Sequence, residues 1–319
     1  MRVRFWGTRG SIPVSITAPD VRAKLAAVLA GSIGHDLSSA DKITAYIDTL
    51  GFDIAGTFGG HSSCVQLETG GLEHVILDLG SGARPLGQSM ITRFGPGTPQ
   101  IYHVFMSHLH WDHIMGFPFF TPVYIPGNRV VIHSCHDQVE HAFRRQQADP
   151  SFPVDFSQLG ANIEFDVMPV GVTREIAGIA VTAKAQRHAG GSYGWRLEHA
   201  GKVLVYSTDS EHRLENSEER KGFVDFFRDA DVVIFDAMYS LADAISIRAD
   251  WGHSSNIVGV ELCQLAGVRR LALFHHEPAY SDAQIAQVLA ETCRFEEIAR
   301  EGGKPLEIIS AWDGLELEL

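Results

Sequence analysis

The chain is short of cysteine, of basic charge and of long apolar runs, and each shortage excludes a class of protein. Its four cysteines, Cys64, Cys135, Cys263 and Cys293, are scattered, with no C-x-x-C pair. That spacing is not a disulfide framework, and it reads as core thiols in a reducing cytoplasm. Lysine and arginine total 26 against 39 aspartate and glutamate, a net charge of −13. A general grip on nucleic acid needs clustered cations, so this balance argues against nucleic acid as a partner. No apolar run approaches the roughly 20 residues that span a bilayer. The start, Met1 to Gly7, has no long apolar core of the secretory kind and reads as a first strand. The expectation is a cytoplasmic protein without a membrane segment.

What the chain has in quantity is histidine, 16 residues. His108-Leu109-His110-Trp111-Asp112-His113 puts four metal-capable side chains within six residues. An apolar run, Ile101 to Met106, precedes it and reads as a buried strand. The ligand-rich loop therefore leaves a strand end, where open α/β sheets keep their sites. Imidazole suits zinc, iron or nickel, and a carboxylate adds charge and a proton acceptor. Other strand ends carry similar groups. Asp78 follows His74–Leu77, Asp209 follows Val203–Ser207, and His275-His276 follows Arg270–Phe274. His188 precedes Gly190-Gly191, a pair that lets backbone approach closely. Between residues 15 and 57 the apolar spacing turns helical, with Val21, Leu25, Val28 and Leu29 on one segment and Ile43 and Ile47 on another. Asp20 and Ser39 are the expected N-caps.

The His108–His113 run resembles the signature of the metallo-β-lactamase superfamily, and four further segments match in the expected order. The opening Phe5-Trp6-Gly7-Thr8-Arg9-Gly10-Ser11-Ile12-Pro13 is similar to that of ribonuclease Z and of small cyclic-phosphodiester hydrolases. Trp251-Gly252-His253-Ser254-Ser255 resembles the Gly-His-Ser-Thr turn of ribonuclease Z. The resemblance implies an α/β fold, a four-layer αββα sandwich. It implies one domain over residues 1–319; residues 15–57, where the resemblance has least support, read from their spacing as a helical insertion beside the site, with a lid and a homodimer surface as open alternatives. It implies one metal site of His108, His110 and His188, a second of Asp112, His113 and His275, and Asp209 bridging them. His276 stays open as an alternative to His275, because adjacent side chains on an extended segment point opposite ways. Asp78 would support the metal loop, since metal-bound imidazoles need an acceptor for their other N–H.

Two divalent ions are implied, zinc by donor type, with manganese, iron or nickel as alternatives. A hydroxide bridging them forms near neutral pH, because metal binding lowers a water's pKa from 15.7 to roughly 7. The implied function is phosphodiester hydrolysis, with Asp112 and His253 catalytic. The implied substrate is a small anion, a cyclic nucleotide or cyclic phosphate, because the long basic arm of tRNA-processing relatives has no counterpart in this sequence. A thioester or lactone hydrolase of the glyoxalase II or lactonase type is the alternative, and a non-catalytic nucleotide sensor is another.

Overall fold

The computed structural model describes residues 1–212, 215–238 and 253–319. Trp251 and Gly252 of the histidine turn lie outside the described residues. Two seven-stranded sheets face each other. The first runs β14 (Glu316–Glu318), β1 (Arg2–Gly7), β2 (Cys64–Glu68), β3 (His74–Leu77), β4 (Ile101–Phe105), β5 (Arg129–Ser134), β6 (Asn162–Val167). The second runs β13 (Glu307–Ser310), β12 (Arg270–Phe274), β11 (Val232–Asp236), β10 (Lys202–Ser207), β9 (Ser192–His199), β8 (Ile179–Gln186), β7 (Arg174–Ile176). Strands β3 to β6 are parallel in one sheet and β10 to β13 in the other, and the remaining neighbours are antiparallel. Strands buried on both faces need continuous apolar sequence, which is what Val232–Phe235 and Leu271–Phe274 supply.

Three apolar clusters mark the three seams of a four-layer αββα sandwich. The central one joins the sheets through Phe5, Phe105, Trp195, Leu204, Tyr206 and Phe274. A second lies between the first sheet and helices α4 (Ala83–Phe94) and α6 (Val139–Gln146), through Leu86, Met90, Val104, Ile132 and Phe143. A third lies between the second sheet and α7 (Ser217–Phe227), α8 (Asn256–Ala266) and α9 (Asp282–Ala299), through Phe223, Phe227, Val260 and Cys263. Among the described residues no helix is long and apolar enough to cross a membrane.

The segment between β1 and β2 is helical: α1 (Ala18–Gly31), α2 (Ala40–Ile47) and the single turn α3 (Phe52–Ala55). The N-cap of α1 is Thr17 rather than Asp20. Thr17 Oγ1 accepts from the Asp20 N–H, and the Asp20 carboxylate accepts in return from the Thr17 N–H, a capping box that makes the acid the third helical residue. Ser39 caps α2 as expected. After the His108–His113 run, Phe117, Phe120 and Val123 are core while Phe119 is exposed.

Candidate metal centre

The parallel strands of both sheets end on the same edge, and their last residues carry the chemistry. Asp78, Asp209 and His275, just past β3, β10 and β12, each adopt left-handed backbone, with φ of 59°, 47° and 59°. Such angles cost a non-glycine residue about 1 kcal/mol or more and persist only where the surroundings impose them. Here they turn three strand ends sharply enough to aim side chains along the edge. His108 and His110 come from the loop after β4, Asp112 and His113 from the short helix α5 (Trp111–Ile114), and His188 from the β8–β9 turn.

The structure brings all seven residues of the expected ligand set together, in two groups. In the first, His108, His110 and His188 face one another with ring centroids 4.5–5.0 Å apart. In the second, five separations define a small polyhedron. His113 Nε2 is 3.2 Å from Asp112 Oδ2, 3.2 Å from Asp209 Oδ1 and 3.4 Å from His275 Nε2. His275 Nε2 is 3.3 Å from both of those carboxylate oxygens. Donors about 2.1 Å from a tetrahedral ion sit about 3.4 Å from each other, so four atoms spaced this way fit one cation. Asp209 divides its oxygens. Oδ1 belongs to the second group, while Oδ2 lies 3.7 Å from His108 Nε2 and 3.8 Å from His188 Nε2 of the first. His108 Nε2 is buried with no hydrogen-bond partner, the state of a donor atom kept for an ion. His276 points the other way, its Nε2 donating to the Ala311 carbonyl at 2.9 Å.

Electrostatics explain why the cluster wants cations. Burial alone would raise Asp112, yet the neighbouring His113 and His275 hold its carboxyl well below the usual range. Burial would likewise raise Asp209, and His275, His113 and His108 hold it far down. His113 is buried, which favours the neutral ring, but Asp209, Asp112 and Asp78 push it well above its ordinary value. His108, buried among other imidazoles, is driven well below. Protonating one ring is how the cluster balances two buried carboxylates on its own, and a dication does the same more completely.

Around the ligands stand groups that orient them. Asp78 is not a helix cap, since Gly82 holds that place for α4. Its carboxylate accepts from His113 Nδ1 (2.7 Å), Ser107 N (2.7 Å), Ser107 Oγ (2.6 Å) and Tyr206 O–H (2.8 Å). With Nδ1–H committed there, His113 turns its Nε2 lone pair to the cluster. Tyr206 comes from the opposite sheet, so this carboxylate also ties the two sheets together. The Gly-rich opening reaches the centre too. Ser11 N–H donates to Asp112 Oδ2 at 2.8 Å, and a Cβ on Gly10 would stand 2.5 Å from the His275 ring.

His253 stands at the rim, its ring 5.1 Å from His188 and stacked 5.2 Å from His275. Its Nδ1 donates to Asp236 Oδ2 at 2.8 Å, which turns Nε2 away from Asp236. Asp236 is fully buried and also accepts from Ser210 N–H and Met238 N–H, both at 3.1 Å. Burial lowers His253, but Asp236, Asp209 and Asp112 outweigh it and push the imidazole up to about 9. Sequence reasoning gave Asp236 no role. The available signal was that it ends an apolar strand, as Asp78 and Asp209 do.

The chain is 24% identical to ribonuclease Z of Halorubrum lacusprofundi over 66% of this chain and 79% of that one. It is 25% identical to ribonuclease BN of Proteus mirabilis over 74% and 93%. Among solved structures it is similar to the metallo-β-lactamase fold protein YhfI of Bacillus subtilis, with TM-score 0.62 and 15% identity over 100% and 99% of the two chains. It is also similar to a diphosphatase of the PhnP family, with TM-score 0.58 and 16% identity over 100% and 97%. The model of the β-lactamase superfamily domain matches residues 77–276, from the end of β3 to one residue past His275. That span takes in the whole ligand cluster with its orienting acids, and the chain belongs to the β-lactamase superfamily.

Proposed function

We propose that this protein is a metal-dependent phosphodiesterase acting on a small anionic substrate, a cyclic nucleotide or cyclic phosphate. The observation that carries the reading is the division of Asp209 between two donor groups, because one carboxylate shared this way suits two ions held side by side. His108, His110 and His188 would hold one ion and Asp112, His113 and His275 the other, zinc being favoured by the imidazole-rich set. Ions held there would supply a polarised water and positive charge for the anionic oxygens of a diester. Asp112, fixed by the Ser11 N–H, would be the proton acceptor for such a water. His253, held by Asp236 at the rim, is placed to give a proton to the leaving alkoxide or to lean on the phosphate. A net charge of −13 supports a small substrate over a polyanion.

The relatives named ribonuclease Z and ribonuclease BN favour a second reading, cleavage of RNA. Metal content by elemental analysis, on the sample assayed against bis-p-nitrophenyl phosphate, cyclic nucleotides and a structured RNA 3′ end, separates the readings. Two ions per chain with chelator-sensitive turnover of small diesters is the expected result. Turnover of RNA alone selects the second reading, and two ions with no diester cleavage moves the function to thioesters or lactones. Asp209→Ala is expected to lose metal and activity together, and full occupancy in that variant would sink the bridging assignment.

A further inference from the structure

On the proposed assignment of His108, His110 and His188 to one ion, we infer that His136, outside that set, is the residue that positions its third member. His108 and His110 leave the same loop after β4, so their separation is set locally. His188 has to be brought across from the second sheet, on the turn between β8 and β9. A constellation of ligands works only if its supporting groups hold it to within about 0.5 Å. How firmly that turn is held therefore decides how well the first group binds.

The turn has little rigidity of its own. Gln186 and Ser192 are the last residues paired between the two strands, which leaves Arg187 to Gly191 to close the reversal. Gly190 and Gly191 both take left-handed backbone, at φ of 83° and 84°. Glycine reaches that region without strain, and it also has the most conformational freedom to lose there. The Gly191 N–H donates to the His188 carbonyl at 3.0 Å, which closes the turn. The Glu211 N–H donates to the Arg187 carbonyl at 2.9 Å, which ties its start to the loop after β10. The Gly191 carbonyl, at its end, is taken by a residue of the first sheet.

That residue is His136, two positions past β5. Its own backbone is anchored, the N–H on Ser134 Oγ at 3.1 Å and the carbonyl accepting from the Val139 N–H at 3.3 Å where α6 begins. Its Nε2 lies 3.0 Å from the Gly191 carbonyl oxygen. A carbonyl only accepts, so the ring carries its proton on Nε2. Burial favours the neutral ring, and one proton is all this bond needs. The same ring packs edge-on against Tyr193 at 4.9 Å, and the Tyr193 N–H donates to the Ser107 carbonyl at 2.9 Å, next to His108. A Cβ on Gly191 would stand 3.3 Å from His136 Cε1, and one on Gly190 3.6 Å from His110 Nε2. The glycine pair is thus seated between His136 and His110, with His188 Nε2 brought to 3.2 Å from His110 Nδ1. The second group is fixed by other means, Asp78 on His113 and the Ser11 N–H on Asp112. Loss of the His136 bond should therefore be felt by one group and not by the other.

The test measures zinc affinity group by group, by competition with a chromophoric chelator on the full chain. His275→Ala leaves the first group to bind alone, and His110→Ala leaves the second. Adding His136→Phe to His275→Ala should weaken zinc binding by about 10- to 100-fold. Added to His110→Ala, it should change nothing. His136→Gln, whose amide N–H reaches the same carbonyl, should restore most of the loss. In the metal-free chain, His136→Phe should quicken amide exchange in residues 187–192 with circular dichroism unchanged. Equal weakening in both backgrounds overturns the inference, as does full affinity in both, or a glutamine variant no better than phenylalanine. A parent chain that binds no zinc removes the metal reading and this assignment with it. Two ions in the parent and an indifferent His136→Phe remove this assignment alone.

Discussion

A carboxylate 2.8 Å from one imidazole nitrogen fixes the ring's orientation and favours its cation, and Asp236 does both to His253. Neither residue belongs to the two donor groups proposed for the ions, so their removal separates proton handling from metal binding. Asp236→Asn is expected to keep both ions and lower kcat by about 10²- to 10⁴-fold, with KM changed far less. Steady-state kinetics beside elemental analysis will tell, and a variant of parental kcat refutes the role. His212 offers a different measurement. It is buried with neither ring nitrogen hydrogen-bonded, against Phe223 and Phe235, and burial pushes it down to about 3. Unfolded, it returns to about 6.5. Below that pH the unfolded chain takes up a proton that the folded chain refuses. Its contribution is therefore intact above pH 6.5 and is lost on acidification toward 3, at about 1.4 kcal/mol per pH unit. His212→Phe should flatten the fall of stability between pH 6 and 4 by about that slope in urea titrations, and an unchanged slope would discard the assignment. That these side chains would gather was legible at this scale because each lies at or just past the end of an apolar strand and because the His108–His113 run resembles a family signature. Asp236 was not, because a buried strand-end carboxylate reads alike whether it faces an ion or a histidine.

At the scale of elements, the informative piece is the turn after β1. Its glycines could have been no more than chain reversal. In three dimensions the turn lies against the metal centre, with Gly10 under the His275 ring and the Ser11 N–H on Asp112. That contact spans more than 260 residues of sequence, so no local pattern could announce it. Gly10 does not need a left-handed backbone, so Gly10→Ala tests packing alone. Its Cβ would force His275 aside, and the second group should bind its ion at least tenfold more weakly while the first stays loaded. Two tightly bound ions in Gly10→Ala would show that His275 has room to yield. The helices at 15–57 were legible from spacing and from the Ser39 cap. Thr17 was missed because Asp20, three residues on, is an equally good capping residue and the reciprocal bonds of the box hide which one leads.

At the scale of the molecule, the layered architecture was legible because buried parallel strands and amphipathic helices write different periods. How the strands divide between two sheets was not, since pairing is set by contacts far apart in sequence. That division matters for the metals. His108, His110, Asp112 and His113 leave the first sheet, while His188, Asp209 and His275 leave the second. An ion in either group therefore joins the sheets, and binding it stabilises the fold by mass action, about 2.7 kcal/mol at a hundredfold excess over Kd. Chelation should lower Tm by several degrees, reversibly on adding zinc. An unshifted Tm with metal demonstrably removed would place the donors outside the folding equilibrium.

The left-handed strand ends have a consequence for how this protein can change. At positions 209 and 275 glycine would sit more comfortably than aspartate or histidine, and a selection for foldedness alone would drift toward it. The donor side chains at those two positions therefore rest on backbone that glycine would adopt at lower cost. Lineages that lost the activity would be expected to relax first at those two positions, before the core showed any change.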